Sequence, residues 1–124
     1  MITIEEAQLI LDEIAEELPH EFFKDLNGGI LLLPDKKISK EALEDDLFTM
    51  GEYCHSSSMG RYITIYFGSF EGIYKNASRE KMKKELKKTL LHEFTHHLES
   101  LAGERDLEIE DEIQLKKYRE RHKI

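Results

Sequence analysis

The first apolar pattern along the chain, between Thr3 and Leu18, repeats with the period of an α-helix. Thr3 and Glu6 have the spacing of a capping box, in which each side chain bonds the other residue's free backbone N–H. Apolar residues then recur every three or four positions, and Pro19 cannot continue a helix. The pattern therefore predicts an amphipathic helix over residues 3–18, with an apolar stripe made of Ile4, Ala7, Leu11, Ile14, Ala15 and Leu18.

Three short segments after this helix have the patterns of β-strands. Residues 30–33 form an apolar run between a Gly-Gly turn and a proline, which predicts a buried strand. Residues 48–54 predict a second strand less strongly. Residues 61–67 alternate most clearly, and the glycine-containing segment 68–72 is expected to end or bend that strand. The alternation predicts Tyr62, Thr64 and Tyr66 on one face and Ile63, Ile65 and Phe67 on the other.

The remaining predicted elements are helical. Ser78 is a suitable N-cap for a long helix that runs to Gly103. Residues 39–46 predict a short helical turn, and residues 107–118 a final helix. The order of helix, strands, long helix and helix indicates an α+β fold in one domain spanning residues 1–124. In that fold a small mixed sheet packs against the N-terminal helix and the long helix.

The composition describes a globular chain with a heavily charged surface, since 40% of the residues are apolar, 35% are charged and the net charge is −8. An acidic protein does not attract nucleic acid or an anionic membrane by its average charge, so we expect neither as a partner. The single cysteine, Cys54, excludes an internal disulfide and fits a reducing compartment. The chain has no signal-peptide pattern and no apolar run of the roughly 20 residues that a membrane helix needs, so we expect a cytoplasmic location.

The segment His92-Glu93-Phe94-Thr95-His96 carries the candidate chemistry. Histidines four residues apart share one face of a helix, so the two imidazoles can bind one Zn²⁺ and leave positions for a third ligand and a water. Glu93 lies off that face, yet in this motif it serves as general base for a water whose pKa the metal lowers to about 7. The pattern predicts a zinc site, and the alternative is two ordinary helix histidines.

The pattern leaves the third ligand open, because carboxylates are abundant after the motif. Glu99 continues the histidine face, although a straight helix places it one turn further along. A chain reversal at Gly103 would bring Asp106 back to the histidines. His97 lies about 100° around the helix from its neighbouring histidine, so we expect it to pack or hydrogen-bond rather than to bind the metal.

These residues and their setting resemble the small bacterial zincin-like metallopeptidases described as minimal matrix-metalloprotease-like domains. Members of that family look like this chain through most of its length. They have an N-terminal helix ending in Leu-Pro, a short apolar strand, an edge strand and a helix with the motif His-Glu-x-x-His-His. The matching segments here are residues 17–19, 30–33, 62–67 and 92–97.

The resemblance implies a zincin-like fold, with His92 and His96 as metal ligands and Glu93 as the catalytic base. The family's Gly-x-x-Asp spacing after the second histidine is met here only if one helical turn is inserted. That alignment makes Asp106 the third ligand, with Glu99 as the fallback. The implied function is zinc-dependent hydrolysis of a peptide or amide bond in a peptide or protein substrate. The alternative is a non-catalytic zincin-like domain that binds a metal or a protein, and the oligomeric state stays open.

The resemblance also suggests where a substrate binds. In zincins the strand before the active-site helix lines the cleft and pairs with an extended peptide, a role that falls here to residues 62–67. Gly68 would then let the substrate backbone come close. A plain sheet strand is the equally open alternative. A tyrosine hydroxyl is expected to stabilise the oxyanion, with Tyr66 as the choice among Tyr53, Tyr62, Tyr66 and Tyr74.

Overall fold

The computed structural model describes residues 2–40 and 48–105 and has the mixed α+β class that the sequence predicts. Asp106, the predicted helix 107–118 and most of the predicted turn 39–46 lie outside the described residues. The helices are α1 (Ile4–Glu17), α2 (Phe67–Ile73) and α3 (Arg79–Arg105), and a 3₁₀ turn covers His20–Phe23. The strands are β1 (Gly29–Leu33), β2 (Lys37–Ile38), β3 (Phe48–Thr49), β4 (Gly51–Ser56) and β5 (Gly60–Tyr66).

Helix α1 begins at the predicted cap. The hydroxyl oxygen of Thr3 accepts a hydrogen bond from the backbone N–H of Glu6 at 3.1 Å. The Glu6 carboxylate accepts from the Thr3 hydroxyl at 3.4 Å, whereas the capping box predicted a bond to the backbone N–H of Thr3. The helix ends at Glu17, because Leu18 is extended in front of Pro19. Its buried stripe consists of Ala7, Ile10, Leu11 and Ile14.

Strand β5 is the central strand of a three-stranded sheet, with β1 parallel on one side and β4 antiparallel on the other. The predicted facing pattern of β5 is confirmed on its core side, where Ile63 and Ile65 are fully buried. The prediction that this strand is an edge strand free to pair with a peptide is wrong. Both edges of β5 already bond to the chain's own strands, and β4 is the strand next to α3.

The segments around β4 and β5 differ from the sequence prediction in two places. The predicted strand 48–54 is divided at Met50, because β3 pairs with β2 in a separate sheet while β4 pairs with β5. The segment that begins at Phe67 is helix α2 rather than a strand end. Gly68 of this helix is not available to a substrate backbone. A Cβ atom there would lie 2.6 Å from the backbone of Asp35, whose carbonyl accepts the Gly68 N–H at 3.0 Å.

Helix α3 packs along one side of the core. The hydroxyl of Ser78 accepts from the backbone N–H of Lys81 at 3.1 Å and so caps the helix as predicted. The predicted end at Gly103 is wrong, because the helix continues to Arg105 and does not reverse at the glycine. No helix in the described ranges is both long and apolar enough to span a membrane. Apolar side chains at every fourth position of α3 face the sheet and α1. Four of them have almost no exposed surface, namely Met82, Leu86, Leu90 and Phe94.

Leu90→Ala is expected to lower the free energy of unfolding by about 2–5 kcal/mol, because Leu90 is fully buried and the truncation leaves a cavity. Leu9→Ala is the matched control, since Leu9 on α1 is 60% exposed and should change the free energy by less than about 0.5 kcal/mol. Urea denaturation of the two variants measures the difference. Equal effects would contradict the position of α3 in the core.

Candidate metal centre

The two histidines of the motif lie side by side on the exposed face of α3. Their Nε2 atoms are 3.2 Å apart, and the ring planes are nearly perpendicular at 88°. Two nitrogen ligands with zinc bonds of about 2.0–2.1 Å and tetrahedral angles lie about 3.3 Å apart. The separation therefore suits a single zinc ion, and without metal it suits an N–H···N hydrogen bond between the rings.

Glu93 points to the other side of the helix and is only 6% exposed. The backbone N–H of Tyr53 on β4 lies close enough to its carboxylate to favour the ionised form slightly. Burial raises the pKa of Glu93 above its usual value, and repulsion from Glu52 adds to the increase. His92, His96 and the Tyr53 N–H oppose this effect without cancelling it. A carboxylate with a raised pKa beside a metal-ligand pair is a suitable general base near neutral pH.

Strand β4 faces α3 across a short distance. The Met50 carbonyl accepts a hydrogen bond from the Tyr66 N–H at 2.9 Å. In an antiparallel pair such bonds involve every second residue, so alternate residues from Met50 onwards bond to β5. The residues between them turn their backbone N–H and C=O groups away from β5. Gly51 is one of these, and a Cβ atom there would lie 2.9 Å from Thr89 on α3. In the part of the chain that the structure describes, no strand pairs with the outer edge of β4.

A groove runs between β4 and α3, with the motif at its centre. It consists of two adjoining cavities of about 700 and 610 Å³, and Gly51, His92 and Glu93 border both. The larger one continues past Glu52 and Tyr53, and the smaller one continues in the opposite direction along the helix. Volumes of this size are typical of ligand sites. The groove therefore leaves room on both sides of the candidate metal position.

Glu52 lines the groove and carries two partners. The Lys37 ammonium forms an ion pair with its carboxylate, and the Tyr66 hydroxyl donates to Oε1 at 2.8 Å. The hydrogen bond from Lys37 is the main reason why the pKa of Glu52 is lowered. Burial, followed by the bond to Glu52, raises the pKa of Tyr66. The hydroxyl expected to serve an oxyanion therefore donates to a carboxylate in this structure.

The structure brings together three of the predicted site residues, His92, Glu93 and His96. Glu99 lies near them, but its Oε2 is 4.0 Å from Nδ1 of His96, the ring nitrogen that does not face the other histidine. At this distance Glu99 makes no hydrogen bond to His96, and it lies on the side of the ring away from His92. Within residues 2–40 and 48–105, no group of three His, Cys, Asp or Glu side chains is arranged to hold a metal ion.

Of the residues that β4 contributes to the groove, sequence reasoning missed Gly51 and Glu52 and named Tyr53 only as one of four tyrosines for the oxyanion. A glycine next to a charged residue within a strand pattern is a signal that another part of the chain or a ligand comes close. The identity of that neighbour is not encoded locally, because β4 and the motif are about 40 residues apart in the sequence. The prediction for His97 is confirmed, since it is buried and hydrogen-bonded rather than turned towards the histidine pair.

Comparison with solved structures finds a relative that covers most of the chain. A solved structure of a conserved hypothetical protein from Thermus thermophilus is 31% identical to this chain, with a TM-score of 0.69. The similarity covers 82% of this chain and 99% of that one. The chain belongs to the same family as that protein. No protein-family model and no curated protein matches the chain.

In metal-free protein, Glu93→Gln is expected to raise thermal stability at pH 7 more than at pH 4. A carboxylate whose pKa is raised in the folded state destabilises the fold when it is ionised, above that pKa. The penalty disappears below the ordinary value of 4.5, where the group is protonated in both states. Glu99→Gln on the same helix is the control, because its side chain is 70% exposed. Melting temperatures at both pH values test this, and a larger gain at pH 4 would contradict the burial of Glu93.

Proposed function

We propose that the protein is a zinc metallopeptidase with a zincin-like fold, in which His92 and His96 hold one Zn²⁺ and Glu93 is the general base. The observation that carries the proposal is the 3.2 Å separation of the two Nε2 atoms beside the buried Glu93 carboxylate. We propose Asp106 as the third ligand, from the inserted-turn alignment, with Glu99 as the alternative. In this structure Glu99 lies on the Nδ1 side of His96, away from the nitrogen that faces His92.

Zinc bound there would polarise the scissile carbonyl and make a water molecule acidic enough to attack at neutral pH. The Glu93 carboxylate accepts the proton of that water while the oxygen bonds to the carbonyl carbon. When the C–N bond breaks, Glu93 returns the proton to the leaving amine, so the products are a carboxylic acid and an amine. The burial that raises the pKa of Glu93 makes the carboxylate a stronger base towards that water.

The substrate is proposed to be a peptide or protein segment in extended form. The outer edge of β4 supports this, because its outward backbone groups border the groove and can pair with an added strand. β4 thus takes the role that the sequence suggested for β5. The exclusion of nucleic acid and membrane as partners, and a cytoplasmic location, remain predictions from the composition.

The second candidate is a zincin-like domain that binds a metal or a protein without catalysis. The observation in its favour is that the described part of the chain contains two close histidine ligands and no third ligand beside them. Two-ligand sites hold zinc weakly, so catalysis requires a third group. The experiments below separate the two candidates.

His92→Ala is expected to reduce bound zinc, in protein purified without chelator, from about one ion per chain to nearly none, because two nitrogen ligands act together. His20→Ala is the control, since His20 is exposed on the 3₁₀ turn and lines neither cavity of the groove. Metal content by atomic emission and affinity by competition with a chelating dye measure the effect. Unchanged zinc in His92→Ala would contradict the whole metal assignment.

Asp106→Ala is expected to weaken zinc affinity about 10-fold or more, and Glu99→Ala less, because an outer carboxylate only orients a ligand. The two variants are compared by the same dye competition. Loss of zinc with Glu99→Ala alone would instead make Glu99 the third ligand and contradict the inserted turn.

Glu93→Gln is expected to keep zinc binding and lower turnover of a peptide-library substrate at least about 100-fold, because the amide cannot accept the proton of water. The fold is preserved by the near-identical shape of the two side chains. If zinc binds and wild-type protein cleaves no peptide in the library, the non-catalytic candidate is preferred. Equal cleavage by Glu93→Gln and the wild type would point to a contaminating protease.

A further inference from the structure

His97 is the sixth residue of the helix motif, and the proposed chemistry does not use it. It is fully buried, and both of its ring nitrogens are hydrogen-bonded. Nε2 lies 2.7 Å from the carbonyl oxygen of Lys24, which can only accept, so Nε2 carries a proton. Nδ1 lies 2.9 Å from the hydroxyl of Tyr53 and, in the neutral ring, accepts from it. The environment thus fixes the ring in one orientation.

Tyr53 connects this buried histidine to the candidate general base. Its side chain reaches the His97 ring, with the two ring centres 5.3 Å apart, while its backbone N–H turns outward into the groove that Glu93 also lines. Glu93 and His97 are four residues apart, so they lie on successive turns of α3 and on the same buried side. Two turns of the helix therefore face one residue of β4, one at its hydroxyl and the other at its backbone N–H.

We infer that His97 and the Tyr53 hydroxyl are positioning groups that hold the backbone N–H of residue 53 against the Glu93 carboxylate. The catalytic part of the inference rests on the proposed function, whereas the contact itself does not. A glutamate side chain has three rotatable bonds, so a carboxylate without a fixed donor loses the single geometry that proton transfer needs. The Tyr53 N–H is a suitable donor only while β4 stays at a fixed distance from α3. The Lys24 carbonyl anchors His97 from the opposite side and so completes the support.

The first experiment reads the contact directly and needs neither metal nor substrate. The backbone amide proton of residue 53 is followed by ¹⁵N–¹H NMR in wild-type protein, Glu93→Gln, Tyr53→Phe and His97→Gln. A bond to a carboxylate shifts an amide proton downfield, so Glu93→Gln defines the signal without the charged acceptor. We expect the signal in Tyr53→Phe and in His97→Gln to move towards that reference. Tyr62→Phe on β5 is the control and should leave the signal in place.

The second experiment reads the consequence for the reaction. With zinc-loaded protein and a peptide that the wild type cleaves, Tyr53→Phe is expected to lower kcat about 10-fold or more, within the range that a general base contributes. KM and zinc affinity are expected to stay within about twofold, because neither group touches the substrate or the metal. A merely structural role would instead lower the melting temperature and leave kcat per folded molecule unchanged.

The outcomes separate this inference from the proposed function. If the amide signal of residue 53 does not shift in either variant, the inference is overturned. It is also overturned if that signal shifts in Tyr53→Phe but kcat stays the same. If His97→Gln does not fold, Tyr53→Phe decides alone, since it keeps the ring and removes only the hydroxyl. A wild type that neither binds zinc nor cleaves peptide overturns the proposed function and the catalytic part together, while the amide signals still decide the contact.

Discussion

The close approach of β4 to α3 is the constraint on which the candidate site depends. Gly51 allows it, because any side chain at that position would collide with Thr89 on the helix. At this distance the outward N–H of Tyr53 lies near the carboxylate of Glu93, and the groove opens between strand and helix. The helix alone could place two histidines side by side. Only the strand brings a backbone N–H near the buried carboxylate and gives an extended chain a place to bind.

Electrostatics in the groove work against the stability of the fold. Glu93 is buried, and the positive and polar groups around it do not fully offset the loss of hydration. Glu52 adds a second carboxylate nearby, although its own charge is stabilised by Lys37 and by the Tyr66 hydroxyl. A fold selected for stability alone would not bury Glu93 there. Local conflicts of this kind are expected where residues serve chemistry rather than packing.

The features predicted correctly from the sequence are those encoded by neighbouring residues. The start of α1 depends on Thr3, the start of α3 on Ser78, and the pairing of the histidines on a spacing of four. The features that were wrong or missed depend on distant partners. The sequence predicts β5 as an edge strand, but β1 and β4 flank it in the structure. Gly68 lies against the backbone of Asp35 rather than being open to a substrate. The contact of Tyr53 with His97 joins residues 44 positions apart, which no local pattern encodes.

Helix α3 is attached to the rest of the protein by different forces at its two ends. Near its start, Arg79, Lys83 and Lys87 pair with Glu13 and Glu17 on α1, in partly exposed ion pairs that salt screens. Near the motif, attachment comes from Phe94 and His97, which are almost completely buried. Ionic strength should therefore change amide hydrogen exchange in the first turns of the helix and leave the turns around the motif protected. The first turns of the helix therefore combine salt-sensitive ion pairs with the buried Met82 and Leu86, whereas the candidate chemistry lies where buried side chains hold the helix.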